Sequence, residues 1–171
     1  MTSSHLIASG TFALLTIATP LWAWEPIVSP GGQHTVIHPD GDAAEVLAMR
    51  EQTHGQFSVI TLSSNAGDGP GPAIVHANEA EAWYVLDGAY EFHIGDRMIA
   101  GGPGTFIAVA AGQPHGSVAQ TNGKLLVFYT PGGYEHFFRD WDQMATVEQT
   151  VGIKGLADLG SIEENYGVTR P

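Results

Sequence analysis

The chain has 171 residues, a formal charge of −12, 43% hydrophobic residues and no cysteine. That length fits one domain, the missing cysteine excludes disulfides, thiolate metal sites and a Cys nucleophile, and a surface this acidic repels nucleic-acid phosphates and anionic lipid. The 22 Gly and 10 Pro make up about 19% of the residues, against roughly 12% in average usage, so many turns between short elements are expected and long-helix folds are not.

In chain order, no Asp, Glu, Lys or Arg precedes Glu25, and Leu6 to Trp24 is mostly apolar or small. The outline fits a secretory signal peptide over residues 1–23, cleaved after Ala23, with export to the periplasm or exterior. The alternative is an N-terminal strand of the domain, or one exchanged with a partner subunit, in a cytoplasmic protein. Ser9-Gly10, Thr16, Thr19 and Pro20 interrupt the stretch, so a lasting membrane span is not expected. Residues 24–171 then form a single domain with no repeat and no long polar linker.

Strand-like segments are predicted at Thr35–Ile37, Glu45–Ala48, Phe57–Leu62, Ala73–His76, Ala82–Leu86, Tyr90–Ile94, Thr105–Val109 and Leu125–Tyr129, separated by turn signals such as Asp87-Gly88, Gly95-Asp96 and Asn122-Gly123. Helix is predicted only near the C-terminus, at Tyr134–Asp140 and around Ile153–Tyr166. Many short strands at fairly even spacing imply a sandwich or barrel.

His76 and Glu81 are five residues apart and would face opposite sides of one uninterrupted strand. Both point inward only if the chain turns between them, and Ala77-Asn78-Glu79-Ala80 is a suitable corner. His115 follows the turn Ala110–Pro114, so three residues able to ligate a metal lie at strand ends. No Gly-x-Ser-x-Gly elbow exists, Ser117 near His115 lacks an orienting third group, and Gly101-Gly-Pro-Gly104 is no phosphate loop.

The stretch from Gly71 to Gly88 and the later run Gly104 to His115 resemble the two motifs of the cupin family. Glu81 and Gly88 enclose the six residues of the first motif, His76 falls on its second His, and Gly104, Gly112 and His115 fall in register with the second. Ile74 stands where the family has its first His, and Ala110 where it has Pro. The segments Thr53–Ile60, Tyr90–Asp96, Pro103–Phe106, Thr130–Phe138 and Ile162–Val168 look like the single-domain, quercetin 2,3-dioxygenase-like branch.

The resemblance implies an all-β, cupin-type jelly-roll barrel with a short C-terminal helical segment. It further implies that His76, Glu81 and His115 bind a divalent metal (iron, manganese, nickel, copper or zinc), with Glu81 also serving as base; the alternative, given Ile74, is a metal-free pocket. Ile74, Trp83, His93, Phe106 and Phe128 are the expected substrate-pocket residues, and His93 is also a candidate to fill the missing ligand position. His34 and His38 are expected at the surface. The expected activity is a metal-dependent dioxygenase reaction on a phenolic or other aromatic small molecule, the alternatives being a ligand-binding protein or a non-redox isomerase or cyclase. A homodimer is the expected assembly.

Overall fold

A computed structural model describes residues 26–31, 35–37, 43–69, 73–151 and 159–171. Residues 1–23, expected to be a signal peptide, and His34 and His38 lie outside the described residues. Antiparallel strands dominate, and they form the expected cupin-type jelly roll closed by helices at the C-terminal end.

The strands are β1 (Thr35–Ile37), β2 (Ala43–Ala48), β3 (Ser58–Ser64), β4 (Val75–His76), β5 (Ala80–Asp87), β6 (Tyr90–Ile94), β7 (Arg97–Gly101), β8 (Phe106–Val109), β9 (His115–Ala119), β10 (Gly123–Thr130) and β11 (Val168–Thr169). One sheet runs β1-β2-β3-β10-β5-β8, a second β7-β6-β9, and β11 pairs with β4. The main-chain bridge between Ile74 and His115 ties the β4 region to β9.

Side-chain alternation sets the barrel interior. On β5, Glu81, Trp83 and Val85 are buried while Tyr84 and Leu86 are exposed; on β10, Leu125, Val127 and Tyr129 are buried. The two strands meet in register, with Tyr129 opposite Glu81 and Val127 opposite Trp83, so their buried faces form one wall. Gly88, after β5, has φ 79°, and a Cβ there would lie 2.6 Å from the Asn122 carbonyl oxygen. Only glycine fits this close crossing.

Three strands are additional to those the sequence predicts: Arg97–Gly101, His115–Ala119 and Val168–Thr169. None has a clean period-2 pattern of its own, and each is extended because a neighbour offers it a hydrogen-bonding edge, β6 for the first two and β4 for the last.

Helix α1 spans Glu135–Val151, beyond its predicted end at Asp140, because no Gly or Pro occurs in residues 141–151 and Trp141 and Met144 still pack on the core. Its first-turn carboxylate, Glu135, accepts the Gly133 N–H at 2.8 Å and the Arg50 N–H at 2.7 Å, tying the helix start to the turn after β2. Helix α2 (Leu159–Asn165) ends in Tyr166-Gly167, where Gly167 has φ 68°, and the chain returns as β11 beside His76. No helix among the described residues is long and apolar enough to cross a membrane.

Candidate metal centre

The corner at Ala77 and Asn78 turns the chain between β4 and β5, and His76 and Glu81 both face the barrel interior. His115 enters from the start of β9, held beside Ile74 by two main-chain hydrogen bonds of 2.8 and 2.9 Å. The three side chains converge. Glu81 Oε2 lies 3.3 Å from His76 Nε2 and 3.2 Å from His115 Nε2, and the imidazole rings stack with centroids 5.3 Å apart. All three residues are buried, and their ligand atoms lie within 4.8 Å of one another.

The donor set fits a divalent ion. His115 Nδ1–H donates to the Gln113 carbonyl at 2.5 Å, which turns the Nε2 lone pair toward Glu81 when the ring is neutral. His76 Nε2 is buried with no hydrogen-bond partner although the carboxylate stands beside it. With both rings neutral, lone pairs and a carboxylate converge on one point that a divalent cation can occupy; without the ion, a proton on His115 Nε2 bonds the Glu81 carboxylate at 3.2 Å. Metal–donor distances of about 2.0–2.2 Å place adjacent donors roughly 3.0–3.5 Å apart, the range in which the two Nε2–Oε2 separations of 3.2 and 3.3 Å fall.

Burial pushes the Glu81 carboxyl up, but the His115 and His76 imidazoles outweigh it and hold the group below its ordinary value. Burial pushes His115 down, and its bonds to Glu81 and the Gln113 carbonyl reverse that, leaving it raised. Burial raises the Glu79 carboxyl, and burial reinforced by the Glu81 charge raises the Tyr129 and Tyr134 hydroxyls well above the ordinary tyrosine value, so both phenols are neutral donors.

The triad lines a cavity of about 390 Å³. Ile74 and Trp83 line it, as expected from the sequence. His93, Phe106 and Phe128 do not, and these three assignments are corrected. Phe106 pairs with Tyr84 across β5 and β8 on the outer face and is 62% exposed. Phe128 lies between the inward Val127 and Tyr129, so strand alternation turns it outward. His93 lies between Phe92 and Ile94 on β6, and its Nε2 meets Glu91 Oε1 at 2.9 Å on a half-exposed face, so it does not fill the ligand position that Ile74 leaves open.

Several lining residues carried no local signal. Tyr129 is brought in by its register with Glu81, Tyr134 packs edge-on against His76 at 4.2 Å between centroids, and Phe137, Phe138 and Trp141 of α1 add an aromatic wall. Glu163 of α2 and Arg170 after β11 add a salt bridge of 2.5 Å on the same cavity. A second His–carboxylate group, Glu51, Glu135 and His136, lies at the start of α1, with a hydrogen bond of 2.9 Å between His136 Nε2 and Glu51 Oε1.

Residues 61–131 match the Cupin_2 family, described as a cupin domain. No curated protein matches the chain. Among solved structures, an RmlC-like cupin from Shewanella frigidimarina is 18% identical, with TM-score 0.56, over 66% of this chain and 96% of its own. KdgF from Halomonas sp. is 16% identical, with TM-score 0.55, over 63% of this chain and 94% of its own. A predicted oxalate decarboxylase from Thermotoga maritima is 19% identical, with TM-score 0.52, over 61% and 98%. At these identities the likeness is one of fold. The cupin-domain match covers the strands that carry His76, Glu81 and His115, and the barrel fold is shared with these solved structures.

Proposed function

We propose that the protein is a metal-dependent dioxygenase acting on a phenolic or related aromatic small molecule in the barrel cavity. The observation that carries this reading is the buried His76–Glu81–His115 triad set in a cavity walled by aromatic side chains. Two imidazoles and one carboxylate are the ligand types of a facial triad, which leaves positions open.

A divalent ion held there supplies Lewis acidity and, if redox-active, activation of dioxygen. Trp83, Tyr134 and Phe137 offer ring faces and edges against which a flat substrate packs. Ile74 keeps one side of the triad apolar and free of a protein donor. The Glu81 carboxylate takes the proton from the substrate hydroxyl, and Tyr129, opposite Glu81 in the β10–β5 register, keeps a neutral O–H on the same wall. Helix α1 covers the cavity with Phe137, Phe138 and Trp141 and limits access of water.

The test is oxygen uptake by protein reconstituted with ferrous iron and, in parallel, with manganese, nickel, copper, cobalt and zinc, against a panel of phenols, catechols and flavonols. Uptake with a redox-active metal, abolished in Glu81→Ala, is expected. A metal-loaded protein that binds phenols and consumes no oxygen with any of them would overturn the oxygenase reading and favour the isomerase or cyclase alternative, which needs only the placed carboxylate.

A further inference from the structure

The two ligand histidines are not supported alike. His115 has its second ring nitrogen settled on the Gln113 carbonyl at 2.5 Å. His76 has no such bond: its ring is fully buried, and Nδ1 has no hydrogen-bond partner. The acidic group nearest to that nitrogen is Glu79, whose Oε2 lies 3.9 Å away and is itself buried without a partner. Two complementary orphan groups thus face each other just beyond bonding distance, on opposite sides of the Ala77–Asn78 corner.

A neutral imidazole that offers Nε2 to a metal carries its proton on Nδ1, and that N–H needs an acceptor to fix the tautomer and the ring plane. Nothing else among the described residues supports His76 in this way. Tyr134 meets the ring edge-on and Tyr129 lies at 5.9 Å between centroids, contacts that hold the ring by packing. The Gly112 N–H donates to the His76 main-chain carbonyl at 2.8 Å and Val168 pairs with His76 across β4 and β11, so hydrogen bonds fix the backbone while the ring is held by packing alone. The corner residues Ala77 and Asn78 lead directly into Glu79, whose side-chain torsions have several staggered positions.

From this geometry we infer that Glu79 is a positioning residue for the metal centre. Its carboxylate accepts the His76 Nδ1–H, making a carboxylate–histidine pair that orients Nε2 toward the ion, as the Gln113 carbonyl does for His115. The inference rests on the triad holding a metal, and it adds a residue outside the three ligands on which affinity depends.

The probe is Co²⁺, titrated into the full chain and followed by its visible absorption, for wild type, Glu79→Ala and Glu79→Gln, with Glu91→Ala on the outer face of β6 as control. Loss of an outer partner of this kind weakens binding about 10- to 100-fold, so Glu79→Ala is expected to lose about that much and to change the cobalt spectrum. Glu79→Gln retains an acceptor oxygen and is expected to recover most of the affinity, a rescue that a merely structural role would not predict. A folded Glu79→Ala with wild-type affinity and spectrum overturns the inference while leaving the metal site standing; a wild type that binds no cobalt overturns both. Should Glu79→Ala fail to fold, zinc-loaded wild type decides the matter by NMR. A slowly exchanging His76 Nδ1–H resonance that shifts in Glu79→Gln supports the pair, and its absence refutes it.

Discussion

Replacing Ile74 by His adds an imidazole on the cavity wall two residues before His76. The backbone there is held by the bonds Ile74 N–H to the His115 carbonyl, 2.8 Å, and His115 N–H to the Ile74 carbonyl, 2.9 Å, which the substitution leaves in place. Two effects oppose each other. Ile74 is 7% exposed, and full burial of such a side chain contributes about 1.5–3 kcal/mol; the histidine ring recovers part of this, so the metal-free variant should be destabilised by roughly 1–2 kcal/mol. Four-donor structural zinc sites bind with apparent free energies of about 10–16 kcal/mol, roughly 3 kcal/mol per donor. Allowing about 1 kcal/mol for ordering the new ring leaves ~2 kcal/mol, close to a 30-fold gain at 1.4 kcal/mol per tenfold. Competition titration with a zinc chelator should therefore give a Kd about 30-fold below wild type, and the thermal midpoint should fall without metal and recover with zinc. Turnover is not expected to rise, because the fourth donor takes a position that substrate would use. Unchanged zinc affinity in a folded variant would refute the reasoning, since the side chain at position 74 would then not reach the donors.

Further expectations follow from the same geometry. His76→Ala, Glu81→Ala and His115→Ala should each lose tightly bound metal while circular dichroism shows the barrel intact; elemental analysis after dialysis checks this, and retained metal in all three would place the ion elsewhere. Phe106→Ala on the outer face should leave ligand affinity within twofold, whereas Phe137→Ala on the cavity wall should weaken binding of phenolic ligands about tenfold and cost roughly 3 kcal/mol or more of stability in urea unfolding. Burial raises Asp140, but its bonds to the Tyr166 hydroxyl and Arg139 outweigh this and hold its carboxyl below the ordinary value. That stability is present above the ordinary Asp pKa of about 3.9 and is lost as pH falls through the lower folded value. Tyr166→Phe should flatten this acid limb, and an unaltered limb in urea midpoints measured from pH 6 to pH 2.5 would count against it. Terminal sequencing of protein recovered outside the cytoplasm is expected to begin near Trp24, and an intact Met1 on folded protein would favour an N-terminal strand instead.

The residue types at the centre were legible in the sequence because the chain has few ways to use them. With no cysteine, His and carboxylate were the remaining transition-metal ligands, and the five-residue spacing of His76 and Glu81 demanded a corner that small and polar residues at 77–80 were suited to make. Strand alternation then placed Trp83 inside with Glu81, since residues two apart share a face. It did not place Phe106 or Phe128, because alternation states which residues share a face and leaves open which face is covered. The cross-strand pairs Tyr84–Phe106 and Tyr129–Glu81 settled both, and those registers are properties of the assembled sheet.

The rest of the site is a product of long-range packing. Tyr134, Phe137, Phe138 and Trp141 reach the cavity because α1 folds back over the barrel, and Glu163 and Arg170 because α2 and β11 return to β4. The approach of Glu79 to His76 depends on His76 Nδ1 and Glu79 Oε2 being buried near each other without hydrogen-bond partners. Strand periodicity, turns and ligand chemistry can be read locally, since they arise from backbone sterics and side-chain functional groups within a few residues. Which surfaces meet, and so which buried polar groups are left facing one another, is set by packing between elements far apart in the chain.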